Sequence, residues 1–224
     1  STLSSSSAAS DVYKRQSYEN AVACNSKDPR LLFEIDELYE KNKVAPEKRY
    51  ALLNNNHETA RLRSESLLRE ATCAMQIGKY DEALEILLNN SFPQFEGGRE
   101  MQDTYLNSFV MRGLEHFRAG RYNEALRDYQ TALAYPVGRW GRSRWAQFYY
   151  LAGSAYEALD RADEANENFE KALAVDISDR DNESVYYHGL ALKKLRRENE
   201  AGKVFAEQLS RAQQETGSEF FRQF

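Results

Sequence analysis

The heptapeptide GKYDEAL at 78–84 returns as GRYNEAL at 120–126. In each copy a glycine ends one helix, a tyrosine opens the next, and an alanine sits where the two helices must cross closely. Glycine accepts the positive φ that a short helix–helix turn needs. The pair therefore marks a helix–turn–helix unit that recurs along the chain, and periods of this size predict a solenoid of stacked helix pairs. Such stacks work mainly as binding surfaces.

Extending the two heptapeptides in both directions gives four units. The fullest runs from Leu106 to Pro136, with Gly113, His116, Gly120, Tyr122, Ala125, Tyr129 and Ala132. The unit from Ser64 carries Ala71, Ala74, Gly78, Tyr80, Ala83 and Leu87. The unit from Ala146 carries Gly153, Tyr156, Ala165, Phe169 and Ala172, with Asp160 in place of the turn glycine. The unit from Asn182 keeps Gly189, Ala201 and Phe205 but departs at Leu192, Arg196 and Glu198. The small residues let paired helices approach, and the aromatics are expected to plug the gap between one unit and the next. The anchoring alanines, Ala83, Ala125, Ala165 and Ala201, are 42, 40 and 36 residues apart. The extra length falls in FPQFEGGRE (92–100) and PVGRWGRSR (136–144), read as loops that project from one edge.

These positions resemble the tetratricopeptide repeat family, whose period is about 34 residues. The resemblance covers 64–209 and implies an all-α, right-handed αα superhelix of antiparallel helix pairs, with repeats at about 64–97, 106–139, 146–179 and 182–215 within a 61–224 region. Taken with RLLFEIDELYEKNKVAPEKRYALL (30–53) and the FEGG turn (95–98), it also resembles the C-terminal repeat region of large Bacteroidetes proteins. In those, a mutarotase-like β-sandwich domain of unknown function precedes the repeats. That resemblance implies an alternative role, as accessory region of a larger carbohydrate-related protein or enzyme.

Upstream, Asp28 and Pro29 read as N-cap and first helical residue. Leu31, Leu32, Ile35, Leu38 and Tyr39 follow at helical spacing, and Ala45-Pro46 opens a shorter helix through Leu53. Residues 17–60 are thus read as a degenerate helical hairpin. Residues 1–16, STLSSSSAASDVYKRQ, stand apart. From Ser6 to Gln16 they can be back-translated, codon for codon, into a common transposase-based sequencing adapter, so this segment is read as non-native and left out of the fold. The chain is accordingly expected to be a fragment. Its last residues, EFFRQF, echo the FPQF that precedes Glu-Gly-Gly, so a further repeat is expected beyond them.

Composition narrows the function. A net charge of -5 argues against nucleic acid as partner. No run of apolar residues is long enough to span a membrane. Cys24 and Cys73 lack metal-ligand spacing, and Cys73 reads as a small core residue. The three histidines, His57, His116 and His188, form no metal-binding motif, so no metal or cofactor is expected. Carboxylates such as Glu34, Asp36, Glu37 and Glu40 read as solvated helix faces. No nucleophile elbow or phosphate loop occurs, so the fragment is read as no enzyme. The carboxylate clamp of chaperone-binding repeats also fails, since its positions hold Leu68, Thr72, Met111, Gln147 and Leu151.

The function expected is therefore a non-catalytic scaffold that binds a peptide or partner protein in a concave groove. Inward candidates on the first helices are Asn107, Val110, Leu114, Gln147, Tyr150, Ser154, Tyr186 and Leu190. Tyrosine offers contact area at low entropy cost and one hydrogen bond. The other role for Tyr150 and Tyr186 is to seal neighbouring repeats. Self-association through an apolar end face is a third reading, and localisation stays open between cytoplasm and periplasm.

Overall fold

Five chain reversals share one backbone geometry. Lys43, Gly78, Gly120, Asp160 and Arg196 have φ of 54°, 82°, 73°, 57° and 60°. At each, the N–H of that residue donates to the carbonyl three residues back, and the next N–H donates to the carbonyl five back. The second set is Val44 to Tyr39, Lys79 to Ala74, Arg121 to His116, Arg161 to Tyr156 and Arg197 to Leu192. This double bond closes the exposed carbonyls of one helix and aims the chain into the next. Only two of the five are glycines. Left-handed backbone costs an L-residue about 1–2 kcal/mol, so Lys43, Asp160 and Arg196 hold the turn against strain.

The structure, a computed structural model, describes residues 13–22, 24–25, 27–92, 98–135, 144–176 and 182–222, with only the backbone given at 98, 182 and 215–222. Most of the adapter-like segment, most of both long loops and the terminal EFFRQF side chains lie outside the described residues. Every regular element among those described is helical, so the fold is all-α. The chain divides into two compact units, Ser1–Met111 and Arg112–Phe224.

The first unit contains α1 (13–22), α2 (Pro29–Lys41), α3 (Pro46–Asn55), the single turn α4 (His57–Ala60), α5 (Ser64–Gln76), α6 (Tyr80–Asn89) and most of α7 (Gly98–Arg118). Asp28 caps α2 by accepting from the Arg30 N–H at 2.9 Å, with Pro29 opening the helix. Leu32, Ile35, Tyr39, Leu53, Cys73, Ala74 and Ala83 form the core. Within it lie charged groups. Asp36 is fully buried and takes two hydrogen bonds from Arg49, at 2.8 and 2.7 Å. Measured from their turns, Asp36 occupies the place that Ala71 holds in α5. The close crossing is replaced here by a bidentate ion pair.

The second unit takes the end of α7 and then α8 (Tyr122–Leu133), α9 (Trp145–Ala158), α10 (Ala162–Ala174), α11 (Asn182–Lys194) and α12 (Glu198–Arg222). Three of its helix pairs use one device. A Cβ on Gly113 would lie 2.4 Å from the Tyr129 ring, one on Gly153 2.6 Å from Phe169, and one on Gly189 2.5 Å from Phe205. Each ring therefore fills the space left by the missing Cβ of its own partner helix. Phe169 also belongs to a cluster with Ala191 of the next pair, so it joins the gap between pairs as well. In the α5–α6 pair the same two positions hold Ala71 and Leu87, both buried. A smaller side chain on one helix is matched by a larger one on the other.

Two helices run past the repeat outline. α7 starts at Gly98, eight residues before the repeat register at Leu106, so part of the expected 92–100 loop is helix. Arg99 and Asp103 lie 3.7 Å apart at helical spacing there. α12 reaches Arg222 where the repeat was expected to end at 215. No glycine-based turn interrupts either segment.

Candidate functional site

The second unit gathers aromatic side chains along α9 and α11. The Tyr150 ring is 5.8 Å from Phe169 and 5.6 Å from Tyr187. Tyr186 lies 5.7 Å from Tyr187 and 5.9 Å from Phe205, and 48% of its surface stays exposed. Gln147 is buried and donates through Nε2 to Glu183 Oε1 and to the Tyr187 hydroxyl, both at 3.1 Å. Burial raises the Tyr187 phenol above its ordinary range, and the Gln147 bond pulls it partly back.

One face of these helices opens into a cavity of about 380 Å³ lined by Leu114, Phe117, Tyr150, Leu151, Ser154, Glu157, Ala158 and Lys194. Its walls come from the end of α7, from α9 and from the end of α11. Lys194 bridges to Glu157 at its rim, and its ammonium also lies 6.0 Å from the centre of the Phe169 ring. Ser154 spends its hydroxyl hydrogen on the Tyr150 carbonyl at 3.0 Å. The hollow is thus largely apolar inside and charged at its edge.

The eight groove candidates separate on this geometry. Leu114, Tyr150 and Ser154 line the cavity together. Val110 and Gln147 are buried in the body of the fold. Tyr186 is exposed, whereas Asn107 and Leu190 are partly buried. The groove candidates read from the sequence did not include Phe117, Leu151, Glu157, Ala158 or Lys194. The signal was present: Phe117 and Glu157 each sit three residues before a turn residue. That place continues the inward stripe by one more helical turn.

Histidines and acids elsewhere are held by structure. Arg121 Nε donates to His116 Nδ1 at 2.9 Å, and Asp128 lies 3.8 Å from its other nitrogen. In the first unit, Glu70 is fully buried with both oxygens within 3.1 Å of His57 Nδ1. Burial raises Glu70 above the usual carboxylate range, and His57 opposes that. Burial also pushes the Cys73 thiol up to about 12, which leaves it unreactive. Among the described residues no group of three or more His, Cys, Asp or Glu side chains could hold a metal ion. No helix among them is long and apolar enough to cross a membrane.

The tetratricopeptide repeat family model matches residues 146–176. That stretch contains α9, α10 and their turn at Asp160. A crystal structure of the MamA protein is similar at a TM-score of 0.50 and 16% identity, covering 75% of this chain and 84% of that one. MamA from Desulfovibrio magneticus RS-1, from residue 41 to its end, is similar at 0.48 and 16%, covering 81% and 93%. A tetratricopeptide repeat protein from Parabacteroides merdae is similar at 0.46 and 16%, covering 90% and 72%. The repeat match and the likeness to the first of these give the chain a tetratricopeptide-like helical fold.

Proposed function

We propose that the chain is a non-catalytic scaffold that holds a peptide or partner protein through the α7–α9–α11 face of its second unit. The observation that carries this reading is the cavity, which gathers Leu114, Tyr150 and Ser154 around one apolar hollow. Its volume suits one or two large side chains. The Glu157–Lys194 pair at the rim suits polar backbone groups on either side of such an anchor. An extended or helical segment carrying a single leucine or aromatic residue, flanked by polar residues, is the ligand class that matches. The titratable groups described above are buried or paired, which favours recognition over acid–base work.

Selection of displayed peptides against the whole chain tests this. Enriched sequences are expected to share one large apolar anchor. Ser154→Trp fills the hollow and should weaken those peptides about tenfold or more, as loss of an anchor contact does, with the helical circular dichroism unchanged. Enrichment of sequences without an anchor, or binding indifferent to Ser154→Trp, would remove the basis for the proposal.

A further inference from the structure

The inward stripe repeats from helix to helix at fixed offsets. Gly113, Gly153 and Gly189 set the register, 40 and 36 residues apart. In that register Phe117 and Glu157 share one place, and Arg118, Ala158 and Lys194 share the next. Phe117, Glu157, Ala158 and Lys194 all line the cavity. Arg118 thus holds, on α7, the place from which Ala158 and Lys194 border the hollow on α9 and α11. It lies one helical turn beyond Leu114, which lines the hollow as well. At this end the three helices run into the turns at Gly120, Asp160 and Arg196, so the mouth is bounded here by described residues throughout.

The charges at this mouth are unequally spent. Lys194 donates to Glu157, and the two neutralise each other. Arg118 is exposed, and among the described residues it makes no hydrogen bond and no ion pair. A guanidinium has five donors in a planar fork, which suits a carboxylate. Burial raises the phenol of Tyr129, and the Arg118 charge partly offsets that. The guanidinium is therefore within electrostatic reach of the ring that packs on Gly113. Arg118, Lys193 and Lys194 stand here against Glu157, on a chain whose net charge is -5. A cation at the end of a helix also answers the helix dipole, but that contribution is to stability and reads no ligand.

We propose that the peptide held in the cavity carries an acidic residue within three positions of its apolar anchor, and that Arg118 receives that carboxylate. This rests on the cavity as the peptide site and names what that site selects. The anchor supplies burial, and Arg118 supplies choice among anchored peptides. The acid falls on the α7 side, because on the α11 side Lys194 is already matched by Glu157. A basic residue in its place would meet like charge.

The probes are displayed nonapeptides with a fixed central leucine and random flanks, selected on the whole chain. Enriched peptides are expected to carry Asp or Glu within three positions of the leucine. One such peptide and its Asn or Gln counterpart are then titrated by fluorescence anisotropy. The acidic form should bind about three- to fivefold more tightly, as an exposed ion pair allows, and the gap should close in about 0.5 M salt. Arg118→Gln should bring the two forms together, while Lys194→Gln leaves them apart. Arg118→Glu should invert the preference towards a lysine at the same place, which a merely structural role for Arg118 would not do. Arg118 is exposed, so the helical circular dichroism should be unchanged. Anchored peptides that Ser154→Trp displaces but that show no preference for an acid overturn this inference and leave the cavity standing as the peptide site. A preference that Arg118→Gln does not touch does the same. Failure of every leucine peptide to bind overturns the cavity itself, and the role of Arg118 with it.

Discussion

The two units share a turn and differ in what they bury. In the first, the α2–α3 pair crosses through an ion pair, Asp36 with Arg49, extended by Arg49 to Glu40 at 3.3 Å and by Arg69 to Glu40. In the second, three pairs cross through a glycine and a ring. The turn fixes where two helices reverse. It does not fix how close they lie. A carboxylate and a guanidinium hold helices apart at a set distance by directed bonds, whereas a glycine lets a ring reach the opposite backbone. The ion-pair crossing depends on both partners being present, because a buried charge left alone keeps its desolvation cost. The glycine crossing depends on volume and tolerates no added atom.

That contrast breaks most visibly at Arg49. Arg49→Met takes both hydrogen bonds from the buried Asp36, which keeps only Arg69 at 3.8 Å, and should destabilise the first unit by about 3–5 kcal/mol. Asp36→Leu combined with Arg49→Met removes both charges and should recover most of that loss, with an outcome from neutral to stabilising. Urea unfolding followed by circular dichroism reads both. A double variant as unstable as the single one would mean that the pair is required for its shape rather than for charge balance.

A smaller effect is expected at the glycines. A Cβ at position 153 would meet Phe169 at 2.6 and 2.8 Å and the Ala165 carbonyl oxygen at 3.1 Å. Gly153→Ala should cost about 1–3 kcal/mol, as overpacked cores do. Adding Phe169→Leu installs the alanine–leucine match of Ala71 and Leu87 and should return part of the loss. The sharper reading is the sign of the coupling: the double variant is expected to be more stable than the sum of the single changes predicts. Additive losses would show that the ring and the glycine are not one unit. Emission from Trp145, which opens α9, follows this region.

Much of this contrast was legible in the residues, and the reason for the rest is physical. Gly113, Gly153 and Gly189 with Tyr129, Phe169 and Phe205 stood out because a small residue and a ring recur at fixed spacing. The turns at Gly78 and Gly120 stood out because glycine advertises positive φ. Asp160 and Arg196 read as departures, yet they take the same backbone, because helix pairing on both sides imposes it. Asp36 read as one acid on a solvated face. Its burial depends on Arg49, thirteen residues on and on another helix, which no local period encodes. The cavity was half legible: Leu114, Tyr150 and Ser154 follow the inward stripe, while Lys194 enters from the next pair.

The smallest effect expected tests what the two units have in common. Lys43 in the first and Arg196 in the second hold the same left-handed turn, at φ of 54° and 60°, with the same pair of backbone bonds. Glycine there removes a strain of about 1–2 kcal/mol and adds back roughly 0.5–1 kcal/mol of unfolded-chain entropy. Lys43→Gly and Arg196→Gly should therefore each stabilise by about 0.5–1 kcal/mol, by matching amounts although one turn joins the ion-paired crossing and the other a glycine crossing. Both side chains point to solvent, so little else changes: Lys43 and Arg196 are both exposed. Matched shifts in the urea midpoint would show that the turn acts independently of the interior it serves. A gain in the second unit alone would show instead that the ion-paired crossing sets the geometry of its own turn, and the two units would then differ in how they reverse as well as in what they bury.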